Sequence, residues 1–120
     1  MIRRPYAVRV AYDEDLAHRI RELVAAQRGV SEKKMFGGLA FLIGGKMAIA
    51  ASRQGGVLVR VDPRDMERLV AAGKAEVAVM GARRMNGWLR VPAEQVRTRR
   101  QLQAWVSRGM SYARTLPAKV

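Results

Sequence analysis

The chain has 120 residues, 49% of them hydrophobic, with 23 Lys+Arg against 10 Asp+Glu for a formal net charge of +13. That length suits one domain with its own core, and the apolar content is too high for intrinsic disorder despite the charge. There is no cysteine and one histidine, His18, which excludes disulfides, thiolate zinc sites, cysteine nucleophiles and multi-histidine metal centres.

Residues 1–10 are basic through Arg3, Arg4 and Arg9 and lack an apolar stretch and a cleavage site. They read as an N-terminal extension rather than a signal peptide. No apolar run approaches the ~18 residues of a membrane span. The expectation is a cytoplasmic protein with no membrane partner.

Asp13–Gln27 has the period of an amphipathic helix, with Leu16, Ile20, Leu23 and Val24 on one face. Asp13, Glu14 and Asp15 suit its positive end, and Gly29 suits its termination. Glu14 is placed to pair with His18 and Asp15 with Arg19, each at i, i+4. Three strands are predicted next. Lys34–Ile43 is interrupted by Gly37-Gly38, read as a bulge or sharp bend. Gly44-Gly45 is a hairpin turn, Lys46–Ala51 the second strand, Arg53–Gly56 a turn and Val57–Val61 the third.

Asp62 and Pro63 open a second helix, carrying Met66, Leu69 and Val70 inward and ending at Gly73. Val77–Met85 and Trp88–Val91 are read as a hairpin around Asn86-Gly87. A last helix runs from about Arg97 or Thr98 to Thr115, where Pro117 stops it. Leu102, Trp105, Val106, Gly109, Met110 and Ala113 share one arc; Arg97, Arg100, Arg108 and Arg114 lie opposite. The order α-β-β-β-α-β-β-α is an α+β fold, an antiparallel five-stranded sheet packed against helices. Leu42, Ala48, Ala50 and Leu58 point away from the face of Phe41, Ile49 and Val59. Part of the second sheet face is therefore apolar, calling for a helix or a second subunit over it.

No nucleophile, base and oxyanion site assemble from this sequence, so it reads as non-enzymatic, with no catalytic, cofactor-binding or metal residues. His18 reads as a solvated helix residue, Asp62 and Asp65 as helix-terminus carboxylates, and the glycine pairs as turns. The charge is concentrated at the end: residues 81–120 hold nine cations and Glu94 as the only acid. Arg83, Arg84, Arg90, Arg97, Arg99 and Arg100 form a candidate nucleic-acid patch, with Trp88 near it in sequence. Arg97, Arg99 and Arg100 near a helix N-terminus oppose the macrodipole, a mismatch a bound anion relieves. Leu42, Leu58 and Trp88 form the candidate interaction surface.

Five segments together resemble the TfoX/Sxy N-terminal domain family. They are Ala11–Ala17, Lys34–Phe41 (Lys-Met-Phe-Gly-Gly-Leu-Ala-Phe) with Met47–Ala50, Leu58–Val61, Met85–Val91, and Ala104–Val106 with Tyr112–Pro117. The series keeps the family's order over residues 11–118, which makes 11–118 one domain of that type. The resemblance implies an α+β fold. It also implies a regulatory or protein-interaction role related to competence and transcription regulators, which act with the cyclic AMP receptor protein. Those regulators carry a second, C-terminal domain with no counterpart in this sequence. The partners expected are a second copy of the chain (a homodimer) or a regulatory protein. The alternative is a weakly sequence-specific nucleic-acid-binding protein using the basic patch.

Overall fold

A computed structural model describes residues 12–35 and 37–117. The basic extension over residues 1–10 lies outside the described residues. The first helix, α1 (Glu14–Val24), is capped by Asp13, whose carboxylate accepts from the Leu16 N–H at 3.0 Å. It buries Leu16, Ala17, Ile20 and Val24. It stops three residues short of the predicted end, where Ala25 and Ala26 are already exposed.

A strand the sequence did not announce follows. Strand β1 (Val30–Met35) pairs antiparallel with β2 (Gly38–Ile43), from Val30 opposite Ile43 to Met35 opposite Gly38. The chain therefore reverses fully at Gly37, whose φ of 79° suits a residue without a Cβ. The predicted bulge inside one strand is in fact the turn between two. Strand β1 escaped notice because Ser31, Glu32, Lys33 and Lys34 are all exposed, so no apolar alternation marks it. The sheet has six strands rather than five, in the order β1-β2-β3-β4-β6-β5.

Strand β3 (Lys46–Ala51) returns through Gly44-Gly45, both at positive φ, as the hairpin reading requires. Strand β4 (Val57–Arg60) follows the Ser52–Gly56 turn. Asp62 caps a 3₁₀ turn over Pro63–Asp65, which leads into α2 (Met66–Ala71). The second hairpin differs from its prediction. Its turn is Gly81-Ala82, between β5 (Glu76–Met80) and β6 (Arg83–Val91). Asn86-Gly87 lies within β6 instead. The pairing moves from Val77 opposite Leu89 to Val79 opposite Arg84, so β6 holds three extra residues there. Gly87, at φ 87°, turns its carbonyl to the Val61 N–H at 2.8 Å and its own N–H to the Met66 sulfur at 2.9 Å. An Asn-Gly pair supplies the positive φ of a bulge as readily as that of a turn, and the contacts to β4 and α2 select the bulge.

Helix α3 (Arg99–Thr115) starts at a capping box in which Thr98 and Gln101 satisfy each other's backbone N–H. It buries the predicted arc of Leu102, Trp105, Val106, Gly109, Met110 and Ala113. The core joins the buried residues of all three helices to one face of the sheet, which carries Leu39, Phe41, Ile49, Val57, Val59 and Leu89. Each such fully buried side chain contributes about 1.5–3 kcal/mol. Between helices, Arg19 donates to the carbonyls of Val96 and Arg97, both at 3.0 Å, which leaves Asp15 aside. Arg114 reaches the Gln27 side chain.

Candidate interaction surface

The opposite sheet face carries no described helix. Alternation along β2, β3, β4 and β6 places two rows on it. One row crosses Lys33, Ala40, Ala50, Leu58, Arg90 and Glu76 by register. The next carries Leu42 and Met47 as partners, and Arg60 and Trp88 as partners. Ala40 and Ala50 are buried, whereas Leu42, Met47, Leu58 and Trp88 are half-buried. The structure thus brings Leu42, Leu58 and Trp88 to one surface. With strands about 4.8 Å apart, Leu42 on β2 and Trp88 on β6 stand roughly 14 Å from each other.

Three arginines frame this surface. The Arg60 guanidinium lies over the Trp88 ring, 4.6 Å from its centroid. Partial burial lowers the Arg60 pKa, while nearby Tyr112 opposes the shift; the group keeps its charge. The Arg90 Nε donates to the Gln54 side chain at 2.8 Å. Arg53 packs its stem beside Gly37, where a Cβ would meet the Arg53 Cδ at 2.6 Å. Together with Leu58, Ala78, Met80 and Met85, Arg53 and Arg90 line a groove of about 550 Å³. Sequence proximity pointed to Arg83, Arg84 and Arg90 as neighbours of Trp88. The residue actually stacked on it, Arg60, is distant in sequence and was missed, because only strand pairing joins β4 to β6.

The six arginines of the candidate patch are not gathered at one place. Arg83 and Arg84 are exposed at the start of β6, and Arg97, Arg99 and Arg100 are exposed around the start of α3. Arg83 and Arg84 open the nine-residue strand β6 and the second group follows its far end, while Arg90 near that end faces the helix-free surface. A second cavity, of about 630 Å³, lies between α2 and the β5–β6 hairpin. Met66, Val70, Val77, Arg84 and Asn86 are among its lining residues. The bulge at Asn86-Gly87 is what turns Asn86 toward this cavity and Met85 toward the groove on the other face.

The other candidates have structural partners. His18 is exposed and lies 3.4 Å from Glu22, rather than beside Glu14. Asp62 accepts from the Arg64 backbone at 2.9 Å and its guanidinium at 2.7 Å, which lowers the Asp62 pKa. Asp65 lies 3.4 Å from Arg68. Among the described residues, no helix is long and apolar enough to cross a membrane.

These features define an α+β domain whose antiparallel sheet is backed by helices on one face and, among the described residues, carries no helix on the other. The TfoX N-terminal domain family model matches residues 22–113, from inside α1 to near the end of α3, and the chain belongs to that family. No curated protein and no solved structure matches the chain.

Proposed function

We propose that the chain is a non-enzymatic interaction module, related in role to competence and transcription regulators, which docks a regulatory protein on its helix-free sheet face. The observation that carries this reading is the half-exposed set Leu42, Met47, Leu58 and Trp88 at the middle of a face that no described helix covers. Arg53, Arg60 and Arg90 around it suit a partner whose apolar contact is rimmed by carboxylates. Trp88 with Arg60 is the anchor of the kind that dominates interfaces. The test uses the full chain and its Leu58→Asp and Trp88→Ala variants in affinity capture from source cells and in sedimentation equilibrium. A protein held by the parent and lost by both variants supports the reading. A dimer lost in both variants makes the partner a second copy. A strictly monomeric chain that captures the same proteins with and without the substitutions overturns it.

The nucleic-acid alternative rests on Arg83, Arg84, Arg90, Arg97, Arg99 and Arg100, which form no ion pairs among the described residues. Phosphate binding there gives an affinity that falls steeply with salt. Gel shifts at low salt that weaken in the Arg99→Ala, Arg100→Ala double variant support it; no shift, or an unchanged one, counts against it.

A further inference from the structure

The two edges of the sheet are built differently. Strand β1 ends it on one side with Glu32, Lys33 and Lys34 exposed, the charged guard that discourages pairing with another chain. Strand β5 ends it on the other side, where Val79 is 57% exposed and Met80 42%. Among the described residues these are the large hydrophobic side chains left in solvent. No described strand pairs with the outer edge of β5, and no described backbone hydrogen bond outside the β5–β6 ladder reaches residues 76–80.

Beside that edge lies the α2–β5 cavity of about 630 Å³, whose walls include Met66, Val70, Ala71 and Val77. Its polar contribution is Arg84 and Asn86, brought there by the bulge in β6, with Glu67 on the α2 wall. A short helix beside an unpaired edge strand, with an apolar groove between them, is the arrangement that receives an added strand. Main-chain bonds then supply affinity and alternate side chains enter the groove.

We propose that the outer edge of β5 binds an extended acidic peptide by strand addition, its apolar side chains entering the α2–β5 groove and its carboxylates meeting Arg83 and Arg84. Charge selects this occupant. Arg83 and Arg84 are exposed and form no ion pair among the described residues. A second copy carries the same +13 and is repelled. An acidic strand is drawn to the edge, and its register follows from whichever side chains fill the groove. This site goes beyond the helix-free face around Leu58 and Trp88; Met80 also lines the groove beside Leu58, so Arg84→Glu and Trp88→Ala are the variants that tell the two sites apart.

The experiment uses the full chain and a fluorescein-labelled synthetic peptide in which valine alternates with threonine between paired glutamates. Two control peptides replace the valines by serine or the glutamates by lysine. Fluorescence anisotropy is expected to show binding of the first peptide and at least about tenfold weaker binding of both controls, a difference of about 1.4 kcal/mol. The surface variants Met80→Lys and Arg84→Glu are expected to lose about tenfold each, while Trp88→Ala leaves binding unchanged. Amide hydrogen exchange reads the mechanism: the peptide slows exchange across 76–80. Equal binding of the serine control reduces the site to a charge effect and overturns the proposal. Protection that appears elsewhere and not in β5 also overturns it, as does a β5-paired dimer abolished by Met80→Lys.

Discussion

Gly109 tests how tightly α3 is seated on the sheet. It lies mid-helix with ordinary helical backbone and is buried, and a Cβ built on it would stand 2.6 Å from the Ala48 carbonyl oxygen and 3.3 Å from Val59 Cγ1. Helix propensity alone favours Gly109→Ala by about 0.8–1.0 kcal/mol. The contact opposes it. The obstructing atom is main chain in β3, so it cannot rotate aside, and α3 must lift from Ala48 by several tenths of an ångström. Overpacking costs about 1–3 kcal/mol, and a 2.6 Å contact with fixed main chain falls in the upper part of that range, about 2–3 kcal/mol, leaving a net loss of about 1–2 kcal/mol. At roughly 3–5 °C per kcal/mol for a domain of this size, that lowers Tm by about 3–10 °C. Thermal and urea unfolding followed by circular dichroism measure it. Ala48→Gly is not expected to rescue the variant, because the clash involves the carbonyl and not the Ala48 methyl. A Gly109→Ala protein at least as stable as the parent refutes the reasoning and shows that propensity outweighs the packing.

Met66→Leu keeps volume but removes the sulfur that accepts the buried Gly87 N–H; it should cost about 1 kcal/mol more than Met110→Leu, and equal losses in urea unfolding would discard a role for that contact. Thr98→Ala removes one half of the capping box on α3 and is expected to cost about 1 kcal/mol, read as a lower denaturation midpoint with an unchanged slope. Arg21 donates to both Glu32 oxygens, at 2.5 and 2.8 Å, and this hydrogen bonding holds the Glu32 carboxyl below its usual pKa. The folded pKa is depressed, so the stabilisation is complete above the unfolded value near ~4.3 and fades as pH falls through the folded value. The pair is partly exposed, so Glu32→Gln should cost less than about 1 kcal/mol at pH 7, with the difference from the parent closing below about pH 4.

Local signals were sufficient wherever the physics is local. The Asp62 cap, the Gly44-Gly45 turn and the buried arc of α3 each depend on residues within a turn or two of each other. The α+β class follows from those elements. Strand β1 was invisible because an edge strand with both faces in water needs no apolar alternation; β2 supplies its partner groups from across the turn at Gly37. The Asn-Gly pair was visible, but its role was not. The same positive-φ backbone serves a hairpin or a bulge, and only the Val61 and Met66 contacts with Gly87 decide between them.

The candidate surface divides in the same way. Strand alternation alone put Leu42 and Leu58 on the face away from the core, and their half-buried positions there agree with it; it also put Ala48 there, but the irregularity opposite Phe41–Leu42 turns Ala48 into the core beneath α3. Sequence proximity grouped Arg83 through Arg100, whereas the direction of β6 carries those arginines apart. The stacking of Arg60 on Trp88, the place of β5 at the edge of the described sheet and the groove beside α2 belong to the tertiary structure alone. Composition and periodicity determine how much apolar surface each element must bury and on which side. Which strands become neighbours, and so which side chains are left facing water together, depends on contacts between residues far apart in the chain.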